Sequence, residues 1–150
     1  RASTAVSWRP PRPMVRAIAE KNPTRVVFAQ AAEESLVHRI FAGANLVLVP
    51  SRYEPCGLVQ QYAQRYGALP VCRATGGLKD TVVDCDAALE TGTGVLYEGP
   101  DDFTAAVLRG YAALFHANHG KLVRRIMRLD HSWERAARQF ERVYRASVTS

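Results

Sequence analysis

Long apolar runs, disulfide-type cysteines and low-complexity segments are all lacking from this sequence. No run approaches the roughly 18 to 20 apolar residues that a membrane-spanning helix requires, so we expect a soluble protein. The three cysteines have neither an even count nor metal-type spacing, which favours reduced thiols in an intracellular compartment. No internal repeat is present. The 150 residues, with 47% hydrophobic content, suffice for one domain with one core.

Acidic residues are scarce at the end of the chain, and this makes the charge uneven. From residue 121 onward there are eight basic and three acidic residues, which accounts for +5 of the total charge of +6. The basic residues fall mostly on the polar sides of two amphipathic helices, a pattern typical of a solvated face. A nucleic-acid-binding module stays an alternative, but no aromatic interleaving and no recognised motif accompanies the charge, which argues against nucleic acid as a partner.

The stretch at 46–71 predicts a βαβ unit around which the chain is organised. Its first four residues are apolar without interruption, as in a parallel strand that is buried on both faces. Apolar residues then recur at spacings of three and four, which predicts one buried helix face made of Leu58, Val59, Tyr62, Ala63 and Tyr66. Gly67 ends this helix, and residues 69–72 re-enter the sheet.

The flanking segments complete a prediction of helices around a parallel sheet. Residues 1–13 contain three prolines and are expected to form an irregular connector. Further elements are predicted as helices at 14–21, from 33, after 102, at 121–129 and from 133, and as strands at 25–29 and 92–97. Asp101 or Asp102 is expected to cap one helix, and Ser132 the last one.

Residues 51–57 follow the first strand of the βαβ unit and are the candidate binding segment. In open parallel sheets, ligands bind beyond the carboxyl ends of the strands, where helix N-termini also present free amides. Glu54 lies in this segment, although an acidic residue there could instead cap the following helix. The glycine pair Gly76 and Gly77 follows the next strand, and its amides could face an anion or merely form a tight turn.

These segments resemble the C-terminal domain of bacterial glycogen synthases and plant starch synthases. The resemblance covers roughly residues 14–147. It is carried by the sequences HRIFAGAN at 38–45, PSRYEPCGL at 50–58 with Gln60 after it, RYG at 65–67 with Pro70, TGGLKDT at 75–81 and DHSW at 130–133. Related glycosyltransferases carry a second glutamate eight residues after the first, where this chain has Tyr62, as the glycogen and starch synthase branch does.

The resemblance implies a GT-B enzyme, in which two Rossmann-like domains face a cleft. This chain would then be an α/β fragment of the C-terminal domain: residues 1–13 a connector and 14–150 part of the nucleotide-sugar-binding domain, without that domain's first strands or the N-terminal domain. The implied reaction transfers glucose, with retention, from a nucleotide-glucose, expected to be ADP-glucose, to the non-reducing end of an α-1,4-glucan. The implied location is the cytoplasm of a bacterium or the plastid of a plant or alga.

The resemblance also assigns roles to individual residues. Glu54 corresponds to the motif carboxylate that contacts the donor glucose and is the predicted catalytic residue. The donor sugar and the distal phosphate would be bound around Cys56, Gly57, Leu58 and Val59, and Thr75, Gly76 and Gly77 form a candidate cleft loop. No metal and no cofactor is implied.

Two positions depart from the family pattern. Ala32 stands where the family often has a base-stacking tyrosine, and Val59 where bacterial members commonly have a hydroxyl residue. The alternative function is a non-catalytic glucan- or nucleotide-binding remnant or a regulatory paralogue. The sequence distinguishes neither ADP-glucose from UDP-glucose nor glycogen from starch.

Overall fold

The computed structural model describes residues 12–29 and 33–148, and within them it contains seven α-helices and three strands. In chain order these are α1 (Arg12–Lys21), α2 (Glu34–Gly43), β1 (Leu46–Val49), α3 (Val59–Arg65), β2 (Leu69–Arg73), α4 (Gly77–Thr81), β3 (Val95–Tyr97), α5 (Phe103–Ala113), α6 (His119–Met127) and α7 (Trp133–Val148). A 3-10 turn, Pro100–Asp102, precedes α5. The predicted α/β class is confirmed. None of the described helices is long and apolar enough to cross a membrane.

The three strands form one parallel sheet in the order β1-β2-β3. Leu46 is opposite Leu69, and Val71 is opposite Val95. The central strand β2 has partners on both edges, and its Leu69, Val71 and Cys72 are at most 1% exposed. Because all strands run the same way, their carboxyl ends meet at one edge of the sheet, as the βαβ prediction requires.

Helices cover both faces of this sheet. On one face, α5 approaches β2 closely, and a Cβ added at Gly110 would lie 2.9 Å from Val71 Cγ2. Leu122 and Ile126 of α6 belong to the same apolar cluster and are fully buried. On the other face, Cys72 packs with residues of α4 and of the segment after it. The core therefore lies on both sides of β2.

The prediction that β1 is buried on both faces is wrong. Leu48 is 45% exposed, and Leu46 and Val47 are only half-buried. Within the described residues β1 is an edge strand, and its Leu46 lies close to Gly110 of α5. An uninterrupted apolar run therefore corresponds to burial on both faces in β2, but not in β1.

The predicted strand at 25–29 is not a strand in the structure. The amides of Arg25 and Val26 both donate to the carbonyl of Asn22 and close a turn, and the following residues have no regular structure. Val27 is 86% exposed. The β-branched residues of segment 25–29 favour a strand locally, but a strand also needs a neighbouring strand with which to pair. The third strand of the sheet is β3 instead.

Helix α3 is buried on a different face from the predicted one. Its buried residues are Gln60, Ala63 and Gln64, of which only Ala63 belonged to the prediction. The other predicted face residues are between 37% and 58% exposed: Leu58, Val59, Tyr62 and Tyr66. The two glutamines turn inward because their amide groups hydrogen-bond to loop carbonyls that the helix covers, at Gly57 and Thr93 respectively.

Helix ends agree with the predictions only in part. Helix α1 begins at Arg12 and so includes two residues of the predicted connector; Pro13 is tolerated because first-turn amides have no intrahelical acceptor. Ser132 caps α7 as predicted, since its Oγ accepts the amide of Arg135 at 3.3 Å. Asp102 accepts the amide of Gly99 at 3.0 Å instead and holds the 3-10 turn. The large apolar residues of α7 are exposed, with Trp133 at 86%, whereas Ala136 is half-buried.

All three cysteines are free thiols. Burial raises the pKa of Cys72 to about 12 and also raises the pKa of Cys85. Both thiols therefore stay protonated at neutral pH, and their reactive thiolate form is scarce. Cys56, by contrast, is exposed within the candidate binding segment.

A single guanidinium organises the loop that precedes β3. Arg125 of α6 donates to the carbonyls of four consecutive residues, Leu89 to Gly92, at distances between 2.8 and 3.2 Å. The backbone in this loop is unusual, because Leu89 has a positive φ of 54°. The planar fork of arginine suits such convergent acceptors, whereas lysine offers only a point charge.

We expect Arg125→Lys to destabilise the fold. Hydrogen bonds to a charged group contribute roughly 1.5–3 kcal/mol, and the substitution cannot keep all four. A loss of about 2 kcal/mol corresponds to roughly 4–8 °C in Tm for a chain of this length, measurable by circular dichroism. Arg124→Lys, one residue earlier on an exposed side of α6, is the matched control and should melt like the parent. Equal melting of the two variants would contradict the role given to Arg125.

Candidate functional site

Two loops meet at the carboxyl edge of the sheet. Residues 50–58 follow β1, and residues 74–76 follow β2, whose Cys72 is opposite Val49 in parallel register. The location predicted for the candidate segment is therefore confirmed. This edge is where helix N-termini and loop amides point in an open parallel sheet.

The glycine pair allows these two loops to touch through their backbones. The amide of Gly77 donates to the carbonyl of Glu54 at 2.9 Å. A Cβ added at Gly76 would overlap that same carbonyl, and one added at Gly77 would overlap the carbonyl of Cys56. Gly76 also has a positive φ of 46°, which side-chain-bearing residues rarely adopt. The glycines are thus required for more than a tight turn, because they allow the 54–56 backbone to lie against them.

The Glu54 side chain is half-buried and is held by one near neighbour. Its Oε2 accepts the Ser51 hydroxyl at 3.1 Å. Helix α3 begins only at Val59, with Leu58 as the N-cap residue and no side-chain capping hydrogen bond. Among the described residues, the Glu54 carboxylate therefore accepts no hydrogen bond from an amide of this helix. Its carboxylate keeps unused acceptor positions for another group.

Backbone amides that donate to no described residue follow this carboxylate along the chain. Among the described residues, none accepts a hydrogen bond from the amides of Gly57, Leu58 or Val59. Such first-turn donors are satisfied by water or by a ligand, and they favour negative charge. The side chains of Leu58 and Val59 are exposed, so they leave the segment open.

Three polar side chains around the site received no role from the sequence. Ser51 holds the Glu54 carboxylate, while Gln60 and Thr81 bond to each other at 2.9 Å beneath the loops. Gln60 was visible in the family-like motif, but its function was not. A usable signal was present: Gln60 and Gln64 are four residues apart and share a helix face with the small Ala63.

A groove of about 720 Å³ opens beside the exposed side of α3. It is lined by Leu58, by Gln61, Tyr62 and Arg65 of α3, and by residues 128–133 and Ala136. At its wall, His131 Nε2 lies 2.9 Å from Gln64 Oε1. Partial burial and, secondarily, the nearby Arg135 lower the pKa of His131, so its neutral imidazole donates to the glutamine at neutral pH.

Two further expectations from the sequence concern the base-stacking position and metal binding. Ala32, at the base-stacking position, lies outside the described residues. Among the residues that the structure describes, no group of three or more histidine, cysteine, aspartate or glutamate side chains is arranged to hold a metal ion.

The sequence of this chain is similar to those of known proteins. The family described as "Glycosyl transferases group 1" matches residues 14–142. The chain is 43% identical over 134 residues to glycogen synthase 1 of Synechocystis and 47% identical over 131 residues to the glycogen synthase of Thermus thermophilus. These matches cover 87% and 86% of this chain but only 28% of each relative. The chain thus spans less than a third of the curated relatives.

A solved structure shows the same fold. The catalytic domain of starch synthase IV from Arabidopsis thaliana, bound to ADP and acarbose, superposes with a TM-score of 0.75 at 31% identity. The match covers 92% of this chain and 30% of that one. The Rossmann-like, GT-B expectation and the resemblance to glycogen and starch synthases are confirmed. The chain belongs to the family of group 1 glycosyl transferases.

Proposed function

We propose that this chain is the donor-binding part of a glycogen or starch synthase, which transfers glucose with retention from a nucleotide-glucose to the non-reducing end of an α-1,4-glucan. One observation carries the proposal: the Glu54 carboxylate and the unbonded amides of Gly57, Leu58 and Val59 follow β1 within a few residues, and Glu54 Cγ lies 3.1 Å from where a Cβ on Gly57 would be. A carboxylate next to free amides suits a ligand that offers both hydroxyl groups and an anion.

In this proposal the two kinds of group act on different parts of the donor. Glu54 accepts hydrogen bonds from glucose hydroxyls, and these strengthen as positive charge builds on the sugar during cleavage of the glycosidic bond. The amides at 57–59, together with Cys56, bind the distal phosphate and stabilise the charge that develops on the leaving diphosphate. The turn at Thr75, Gly76 and Gly77 forms one wall of the cleft.

The relatives support the rest of the proposal. They are named glycogen synthases and are far longer than this chain, and the starch synthase neighbour was solved with ADP. We therefore propose that residues 14–150 act as part of a C-terminal domain, that an N-terminal domain completes the cleft, and that ADP-glucose is the donor. The bacterial cytoplasm, or the plastid of a plant or alga, is the proposed location.

A chimera tests the activity directly. Residues 14–142 would replace the matching segment of the Synechocystis relative, and glucose transfer to glycogen would be followed with ADP-glucose and with UDP-glucose. We expect transfer, with ADP-glucose as the better donor. A folded chimera that binds ADP-glucose without transferring glucose would instead indicate a non-catalytic binding remnant.

In this chimera we expect Glu54→Gln to lower kcat by about a hundredfold or more, because the substitution keeps the shape and removes the charge that the transition state needs. The Ser51 hydroxyl can still donate to the new amide oxygen, so Tm should move by only a few degrees. Steady-state kinetics and thermal melting provide both values.

Glu90→Gln is the control, since Glu90 is an exposed glutamate in the loop before β3, and its kcat should equal that of the parent. If Glu54→Gln retained kcat within a few-fold and lost stability instead, the catalytic role would be wrong.

The cleft loop yields a second prediction. In Gly77→Ala, the new methyl group would overlap the Cys56 carbonyl, so the loops must separate. Overpacking of this kind costs roughly 1–3 kcal/mol, and a displacement of about 1 Å can lower turnover by about a hundredfold. We expect both a lower Tm and a lower kcat/KM in the chimera.

Gly43→Ala is the matched control, because nothing lies within 4 Å of the position that its Cβ would occupy. In a helix this change should be neutral or stabilising by up to about 1 kcal/mol. Equal activity of the two alanine variants would show that the contact between the loops does not matter for the reaction.

A further inference from the structure

Gln60 is the fully buried side chain that lies directly beneath the candidate site. None of its surface is exposed. Its Nε2 lies 3.0 Å from the Gly57 carbonyl, 3.4 Å from the Cys56 carbonyl and 2.9 Å from Thr81 Oγ1. The first two acceptors belong to the loop after β1, and the third belongs to α4. The Gln60 amide therefore connects the two sides of the site.

The orientation of this amide is fixed by its surroundings. Thr81 donates its hydroxyl hydrogen to the Gly77 carbonyl at 2.6 Å, so its oxygen can only accept from Gln60. If the amide were turned over, its oxygen would face two carbonyls and this hydroxyl without a donor among them. Nε2 must therefore face the three acceptors, while Oε1 lies against the α-carbon side of Gly57.

Oε1 of Gln60 is buried and has no hydrogen-bond partner among the described residues. A Cβ added at Gly57 would lie 2.7 Å from Oε1 and 3.1 Å from Glu54 Cγ, so the Gln60 amide and the Glu54 side chain border the same point of the loop. A buried polar atom without a partner is rare and costs free energy. The Gln60 amide is nevertheless retained here, and its other atom, Nε2, makes the hydrogen bonds to the loop and to Thr81.

The hydrogen bonds close into a ring around the site. The backbone carbonyl of Glu54 accepts a hydrogen bond from the Gly77 amide, and the Gly77 carbonyl accepts one from the Thr81 hydroxyl. Thr81 accepts Gln60, which returns to the loop at the Gly57 carbonyl. If one member shifts, the backbone of Glu54 moves relative to the Gly57 amide, and the carboxylate moves with that backbone.

We infer that Gln60 is a positioning residue for the donor, which holds the Glu54 carboxylate and the amides at 57–59 at the separation that a sugar phosphate requires. The inference rests on the proposed function. Gln60 acts through the loop without touching the donor itself, since it is covered on all sides. Sites of this kind tolerate errors of only about 0.5 Å in the groups that contact the ligand.

Gln64 offers a matched control on the same helix. It is equally buried, and its amide is also hydrogen-bonded, but its partners are the Thr93 carbonyl and His131, away from the two loops. Gln60→Met and Gln64→Met both replace a buried amide by an apolar chain of similar length. Both should lower Tm, so Tm alone does not distinguish them.

The test is the affinity of the 150-residue chain for ADP-glucose and for ADP, measured by NMR titration of the parent and both variants. We expect Gln60→Met to weaken ADP-glucose binding by roughly tenfold, equivalent to about 1.4 kcal/mol, and to weaken ADP binding less, because ADP lacks the glucose that Glu54 contacts. Gln64→Met should keep both affinities within about twofold. If both variants lose affinity equally, or neither does, Gln60 is only structural and the inference is wrong.

A second pair of variants, at Thr81, tests the inference if Gln60→Met does not fold. Thr81→Val removes the hydroxyl that links Gln60 to Gly77, whereas Thr81→Ser keeps it. The valine variant should bind ADP-glucose several-fold more weakly than the serine variant, and equal binding would overturn the inference. Failure of the proposed function gives a different result: the parent chain shows no ADP-glucose binding and the chimera no transfer, whatever residue 60 is.

Discussion

The parallel pairing of β2 with both of its neighbours is the constraint on which the other features depend. Because β1, β2 and β3 all run the same way, the loops after β1 and β2 emerge at one edge and come into contact. Burial of β2 on both faces fixes its register, since a slip by one residue would exchange the side chains that face α5 with those that face α4. The distance between Glu54 and the glycine turn is thus set by the sheet, and the loops add only the last contact.

The sequence predicted the part of the fold that depends on local patterns. The strand at 46–49, the return at 69–72 and the cap at Ser132 were correct because apolar runs, glycine and capping residues act within a few positions of the chain. The segment 25–29 has the same local character as a strand, yet it pairs with nothing in the described structure. Strand pairing depends on residues that are far apart in the chain, and the local pattern of one segment does not reveal it.

The site was predicted at the level of its location and its family-like residues, while its internal support was not. Periodicity assigned the buried face of α3 to its apolar residues, but the helix buries Gln60 and Gln64. A glutamine is favourable inside a protein only when hydrogen-bond partners surround it, and the Gly57 carbonyl and the Thr81 hydroxyl come together at Gln60 only after folding. Buried polar support of this kind follows from tertiary geometry, which hydrophobicity patterns do not encode.

The loop that Arg125 holds has a consequence for how the fold tolerates strain. Leu89 has a left-handed backbone, which costs an ordinary residue about 1–2 kcal/mol, and glycine would adopt it freely. Yet its side chain is only 6% exposed and belongs to the main core, where burial of a leucine contributes roughly 1.5–3 kcal/mol. The two contributions are similar in size. A glycine at this position would relax the backbone, but the missing side chain would leave a cavity in the core. The unfavourable dihedral angle is therefore retained because the same residue anchors the loop to the sheet.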